Sequence, residues 1–123
     1  MNTVLWILAV LLGLAFAASG VTKLTKSTDE LAQANMGWVE DFSSATVKAI
    51  GVLEVLAALG LTVSPLVGLP VLVPLAAVGL VLLMAGAAIT HQRRHESQMV
   101  SVTGALLLVA AFVAFGRFGP YPL

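Results

Sequence analysis

The sequence predicts an all-α integral membrane protein, a bundle of four helices, on three observations. The chain is 59% hydrophobic and only 10% charged, against roughly 25% charged in a typical soluble domain. Its apolar residues fall into four segments of about twenty, the length that crosses a bilayer. Proline and glycine interrupt the longest apolar stretch once, so that it turns back instead of continuing as one helix. At 123 residues, positions 1–123 form a single membrane domain.

The first span covers about 3–22 and ends at Lys23. Ala15-Phe16-Ala17 has the small-x-small look of a signal-peptide cleavage site, but no Lys or Arg precedes the stretch. It is therefore read as a span. In the first connection, Ser27-Thr28-Asp29-Glu30 resembles a capping box, opening a short helix over 31–35. Residues 41–44 supply caps for the second span. Trp38 and Phe42 between them suit a membrane interface. The connection is thus either a partly helical segment lying on the surface or an ordinary solvated loop.

The second span, about 45–64, contains Glu54. Ser64-Pro65-Leu66-Val67-Gly68-Leu69-Pro70 makes a tight turn into the third, about 69–90, where Pro74 falls in the first turns and is tolerated. His91-Gln92-Arg93-Arg94-His95-Glu96 forms the third connection. The fourth span, about 99–116, ends at Arg117 and Gly119-Pro120-Tyr121-Pro122.

Charge excludes some functions. Six Lys+Arg balance six Asp+Glu, and no basic stripe exists to bind nucleic acid. There is no cysteine, hence no thiol redox chemistry, disulfide or thiolate metal site within the chain. Lys23, Lys26, Arg93 and Arg94, with Lys48 nearby, fall on one side, against Arg117 alone on the other. The positive-inside rule places connections one and three in the cytoplasm and both termini outside, in a multi-pass protein of the cell membrane.

Glu54 is the only charged residue between positions 49 and 89. A carboxylate at mid-membrane costs on the order of 2.5–3.5 kcal/mol on insertion scales and by default marks function. Its depth inside Lys48 is about 9 Å. Small residues indicate the packed faces: Ala9, Gly13, Ala17 and Gly20 on the first helix, and Gly51, Ala57 and Ala58 beside Glu54 on the second. On the third they are Ala76, Gly79, Gly86, Ala87 and Thr90. Glu54 then points into the bundle. Lys23, His91 and Arg94, in that order, are its candidate partners, with Thr22 and Thr90 in the same layer. One reading is a polar pocket for a lipid-soluble headgroup, or a proton-handling site. The other is an interhelical pair that locks helix register.

His91 and His95 have the spacing of a helical metal pair, but two adjacent arginines disfavour a cation, and no metal is expected. Lys23 and Lys26 also suit snorkelling anchors. No phosphate loop, Ser/His/Asp constellation or haem motif is visible. No catalytic residue is therefore assigned, and a binding subunit is favoured over a stand-alone enzyme or proton-coupled carrier. The second and fourth spans align from Gly51 and Gly104, which sets Leu107 opposite Glu54. Two repeated helix hairpins or chance similarity within a small apolar alphabet would each explain that.

Four segments taken in order carry a resemblance. They are Phe16-Ala17-Ala18-Ser19-Gly20-Val21-Thr22-Lys23-Leu24, Gly51-Val52-Leu53-Glu54-Val55-Leu56-Ala57-Ala58-Leu59-Gly60-Leu61, Met84-Ala85-Gly86-Ala87-Ala88-Ile89-Thr90-His91, and Gly116-Arg117. The set resembles the DoxX-like family of small four-span membrane proteins, over nearly the whole chain. That family takes its name from a small subunit of a thiosulfate–quinone oxidoreductase. Other members associate with membrane oxidoreductase systems, and distant relatives assist receptor assembly. The resemblance implies an accessory or binding subunit that holds a quinone-like or lipid headgroup near Glu54 and docks to a membrane redox enzyme. A structural or assembly factor without ligand chemistry is the alternative. Lys23, Glu54, His91 and Arg117 match the family pattern. The partners implied are membrane lipid and a membrane-associated protein such as an oxidoreductase, with a second copy of the chain left open.

Overall fold

A computed structural model describes residues 1–34 and 36–123. Four long helices, each long and apolar enough to cross a membrane, make up the bundle. Helix α1 is Asn2–Thr25, and the chain leaves it in extended conformation at Lys26. Ser27 then caps the short α2, Thr28–Gln33. Its hydroxyl accepts from the Glu30 amide, and the Glu30 carboxylate accepts from the Ser27 amide, each at 3.2 Å. The short helix expected over 31–35 thus starts three residues earlier, because a Ser27 cap makes Thr28 its first residue. Position 35 lies outside the described residues.

A 3₁₀ turn, Gly37–Asp41, leads to α3, Ser44–Thr62, where the Ser43 hydroxyl accepts from the Thr46 amide at 3.1 Å. A second 3₁₀ turn, Ser64–Val67, closes on Gly68 at φ 82°, a left-handed conformation that glycine alone adopts freely. Helices α4, Leu72–Arg93, and α5, Ser97–Phe118, complete the chain. The first connection is ordered around its own small core: Leu31 and Val39 pack on Val47 at the start of α3.

The long helices associate as two tight pairs, α1 with α3 and α4 with α5, joined mainly through α3 and α4. Leu5, Leu12 and Phe16 of α1 meet Leu61 of α3, Leu80 of α4 and Val113 of α5 in the central core. Outside, Leu11, Leu14, Leu56, Leu82, Leu108 and Phe115 are exposed all round the bundle. A water-soluble monomer does not show so much apolar surface, whereas a lipid-facing one must.

Glycine sets the closest approach. A Cβ on Gly20 would lie 2.7 Å from the Gly51 carbonyl oxygen, and one on Gly51 would lie 3.0 Å from the Gly20 oxygen. Backbone therefore touches backbone between α1 and α3, as small residues permit in lipid. The face expected on the third span is corrected in part. The buried residues of α4 are Val73, Pro74, Ala77, Leu80, Met84 and His91, while a Cβ on Gly79 or Gly86 would meet nothing within 4 Å. Ala76, beside Gly60 of α3, and Ala87 do pack against the core as expected, whereas Gly79 and Gly86 border open space.

Candidate functional site

The contact of Gly20 with Gly51 decides where charge goes. Three residues beyond each glycine, on the same helix face, stand Lys23 and Glu54. Lys23 Nζ lies 2.7 Å from Glu54 Oε1, and the two residues are 6% and 3% exposed. Ser19, one turn before Lys23, bridges them. Its hydroxyl donates to Glu54 Oε2 at 2.9 Å and accepts from Lys23 Nζ at 2.5 Å. Among the described residues Oε1 has the ion contact with the ammonium as its one polar partner. The face of Trp38 stands 5.6 Å from Lys23 Nζ, within cation–π range.

Lys48 adds a second tie between the same helices. Its Nζ donates to the backbone oxygens of Lys23, at 2.6 Å, and Lys26. Those carbonyls end α1 and have no partner within the helix, and a cation there also complements the helix dipole.

Of the three candidate partners, Lys23 alone meets Glu54. The snorkelling reading of Lys23 is overturned, since a cation with a buried counter-ion has no need of the membrane edge, whereas Lys26 is exposed. His91 turns to its own connection, and Arg94 joins that connection to the first. His91 Nδ1 is 2.7 Å from Glu96 Oε1. Arg94 Nη1 donates to Asp41 Oδ2 at 3.0 Å and its Nε lies 3.5 Å from Glu96 Oε2. The hydrogen bond to His91, then the charge of Arg94, hold the Glu96 carboxyl below its ordinary range, and the Asp41 bond pushes Arg94 up. Thr22 donates to the Ala18 oxygen and Thr90 to the Gly86 oxygen, so neither hydroxyl reaches the pair.

Beside the pair lies a cavity of about 430 Å³, bordered by all four long helices. Its polar residues are Ser19, Lys23, Glu54, Thr90, His91 and Thr103, and the remaining wall is mostly apolar, with Phe16, Met84 and Met99 among the lining. Trp38 and Phe42 line it too, with ring centroids 5.9 Å apart at 75°. These aromatic residues, read from sequence as interfacial, border a cavity that is open on one side. Arg94, hydrogen-bonded to Asp41, fastens the turn that carries Trp38.

The helical His91–His95 pair does not form. Helix α4 stops at Arg93, and His95 adopts φ 58°. Among the described residues no group of three His, Cys, Asp or Glu could hold a metal ion. At the opposite end Arg117 is buried beneath Asn2 and Tyr121. It donates to the Asn2 side chain and to the Tyr121 carbonyl, beside the ring of Trp6.

Fold and site together define a small multi-pass membrane protein with a half-open, polar-ended cavity between its helices. The chain belongs to the DoxX-like family, which it matches over residues 7–113. Neither a curated protein nor a solved structure gives a significant match.

Proposed function

We propose that the protein is a membrane accessory subunit that holds the head of a lipid-soluble molecule, quinone-like or lipid, beside the Lys23–Glu54 pair and serves a membrane redox enzyme. One observation carries this reading. A buried, charge-balanced pair borders an apolar cavity of about 430 Å³, a size and character typical of small-molecule sites. Family membership supports the redox setting. The polar end of the cavity faces the cytoplasm in this reading, because the basic residues gather there.

The test is to purify the protein in mild detergent, extract it, and identify retained molecules and proteins by mass spectrometry. A retained amphiphile that Glu54→Gln removes, with the fold intact, supports the reading. A protein free of any such molecule refutes it. Sidedness is tested by cysteines placed at Gln33, Gln92 and Tyr121. Only the last should react with an impermeant thiol reagent in intact cells, and the reverse pattern inverts the orientation.

A second reading has its own observation. Lys23, Ser19, Glu54 and Lys48 all join α1 to α3, as a device that merely fixes register would. A structural or assembly factor would retain a partner protein and no small molecule, and Glu54→Gln would then lower thermal stability without changing what copurifies.

A further inference from the structure

We infer that His91 is the hydrogen-bond acceptor of the cavity, and that its occupant is an uncharged amphiphile carrying a hydroxyl, as a phenol does. This rests on the cavity being a binding site and narrows what fills it. His91 is 5% exposed and lines the cavity. Its Nδ1 faces Glu96 Oε1 at 2.7 Å. An ionised carboxylate can only accept, and Glu96 is partly exposed and held in its ionised form by His91 and Arg94. In the neutral imidazole the proton therefore sits on Nδ1, and Nε2 keeps its lone pair. Among the described residues the hydrogen bond to the ring is made at Nδ1, and none is made at Nε2. An occupant that satisfies it must bring a donor.

Phosphate and carbonyl groups bring only acceptors. Charge points the same way. The one ammonium bordering the cavity, on Lys23, is already balanced by Glu54, which leaves no net positive charge for an anionic headgroup. A hydroxyl suits both ends of the site, donating to His91 or accepting from Lys23. For a quinone-like occupant, this selects the hydroxyl-bearing reduced form over the quinone.

The experiment compares 4-octylphenol with its methyl ether, 4-octylanisole, on the full chain in lipid nanodiscs. Retention is measured by mass spectrometry relative to empty discs. The wild-type protein should hold the phenol about three- to ten-fold more tightly than the ether, the contribution of one hydrogen bond. His91→Phe should abolish that preference while the ether is retained as before. Glu96→Ala leaves His91 in place but frees its tautomer, and should weaken the preference. Equal retention of both compounds by the wild type overturns the role of His91 and leaves the cavity reading standing. Retention of neither overturns the cavity reading as well. A Glu96→Ala protein with the full preference refutes the part given to the tautomer.

Discussion

Buried as they are, Lys23 and Glu54 stabilise the bundle only together. Breaking a buried pair by removing one partner costs about 3–5 kcal/mol, whereas replacing both with apolar groups is often neutral. Glu54→Leu should therefore lower the thermal midpoint sharply in detergent, and adding Lys23→Met should restore most of the loss. A double variant no better than Glu54→Leu would shift the explanation from charge to packing. A milder effect concerns Glu96, whose carboxyl titrates below its ordinary value of 4.5. Its contribution is present above the unfolded pKa and is lost as pH falls through the folded one. The advantage of wild type over Glu96→Gln in thermal midpoint should thus disappear in acid and hold at neutrality. Glu54 was legible in the sequence because nothing charged surrounds it. Ser19 was not, since a serine among alanines reads as packing. Its signal was the four-residue spacing to Lys23, together with glycines three residues before both Lys23 and Glu54. The bond from Arg94 to Asp41 joins positions 53 apart, and no local pattern announces it.

Between helices, the contact of Gly20 with Gly51 is the controlling one. Gly20→Val would drive a side chain into the Gly51 oxygen and Val55, prying α1 from α3 and parting Lys23 from Glu54. It should destabilise strongly and empty the cavity of any retained amphiphile. Gly79→Ala, where a Cβ meets nothing, should be neutral or slightly stabilising through helix propensity. Thermal unfolding of the two variants side by side checks the contrast. Ser43→Ala removes the cap of α3 and should cost about 1 kcal/mol. The caps at Ser27 and Ser43 were readable because capping is local chemistry. The packed face of α4 was read correctly at Ala76, which lies against Gly60 of α3, and misread at Gly79 and Gly86, which border a groove and the cavity.

At the scale of the molecule, each half of the chain is a packed helix pair, and the two halves meet at Gly68. That glycine is exposed, in a left-handed turn, with nothing near it. A chain divided there and expressed as two fragments should reassemble, since loop tips of this kind tolerate a break. Copurification of a tagged first half with the second is the measurement, and failure would show that α3 needs a covalent link to find α4. The four-helix membrane bundle followed from composition and proline placement alone. The cavity did not, because it depends on how two pairs lean together. The glycines aligned in the second and fourth spans differ in setting, since a Cβ on Gly51 would meet the Gly20 oxygen and one on Gly104 nothing within 4 Å, and Leu107 is partly buried against the core where Glu54 carries charge.

Lys48 and the pair it backs also bear on the order in which the protein is made. Ser19 and Glu54 are 35 positions apart, so α1 leaves the ribosome roughly seconds before its carboxylate partner exists. During that interval Lys23 has no counter-ion at the end of a hydrophobic helix, and a cation so placed is expected to stay at the water edge until α3 brings Glu54. The expected consequence is an amine at Lys23 that reacts in the nascent chain and is shielded in the finished one, where Lys23 is buried against Glu54. In a background of Lys26→Arg and Lys48→Arg, a chain truncated before α3 should be modified at Lys23 by an amine reagent from the aqueous side, and Lys23 of the complete protein should be spared.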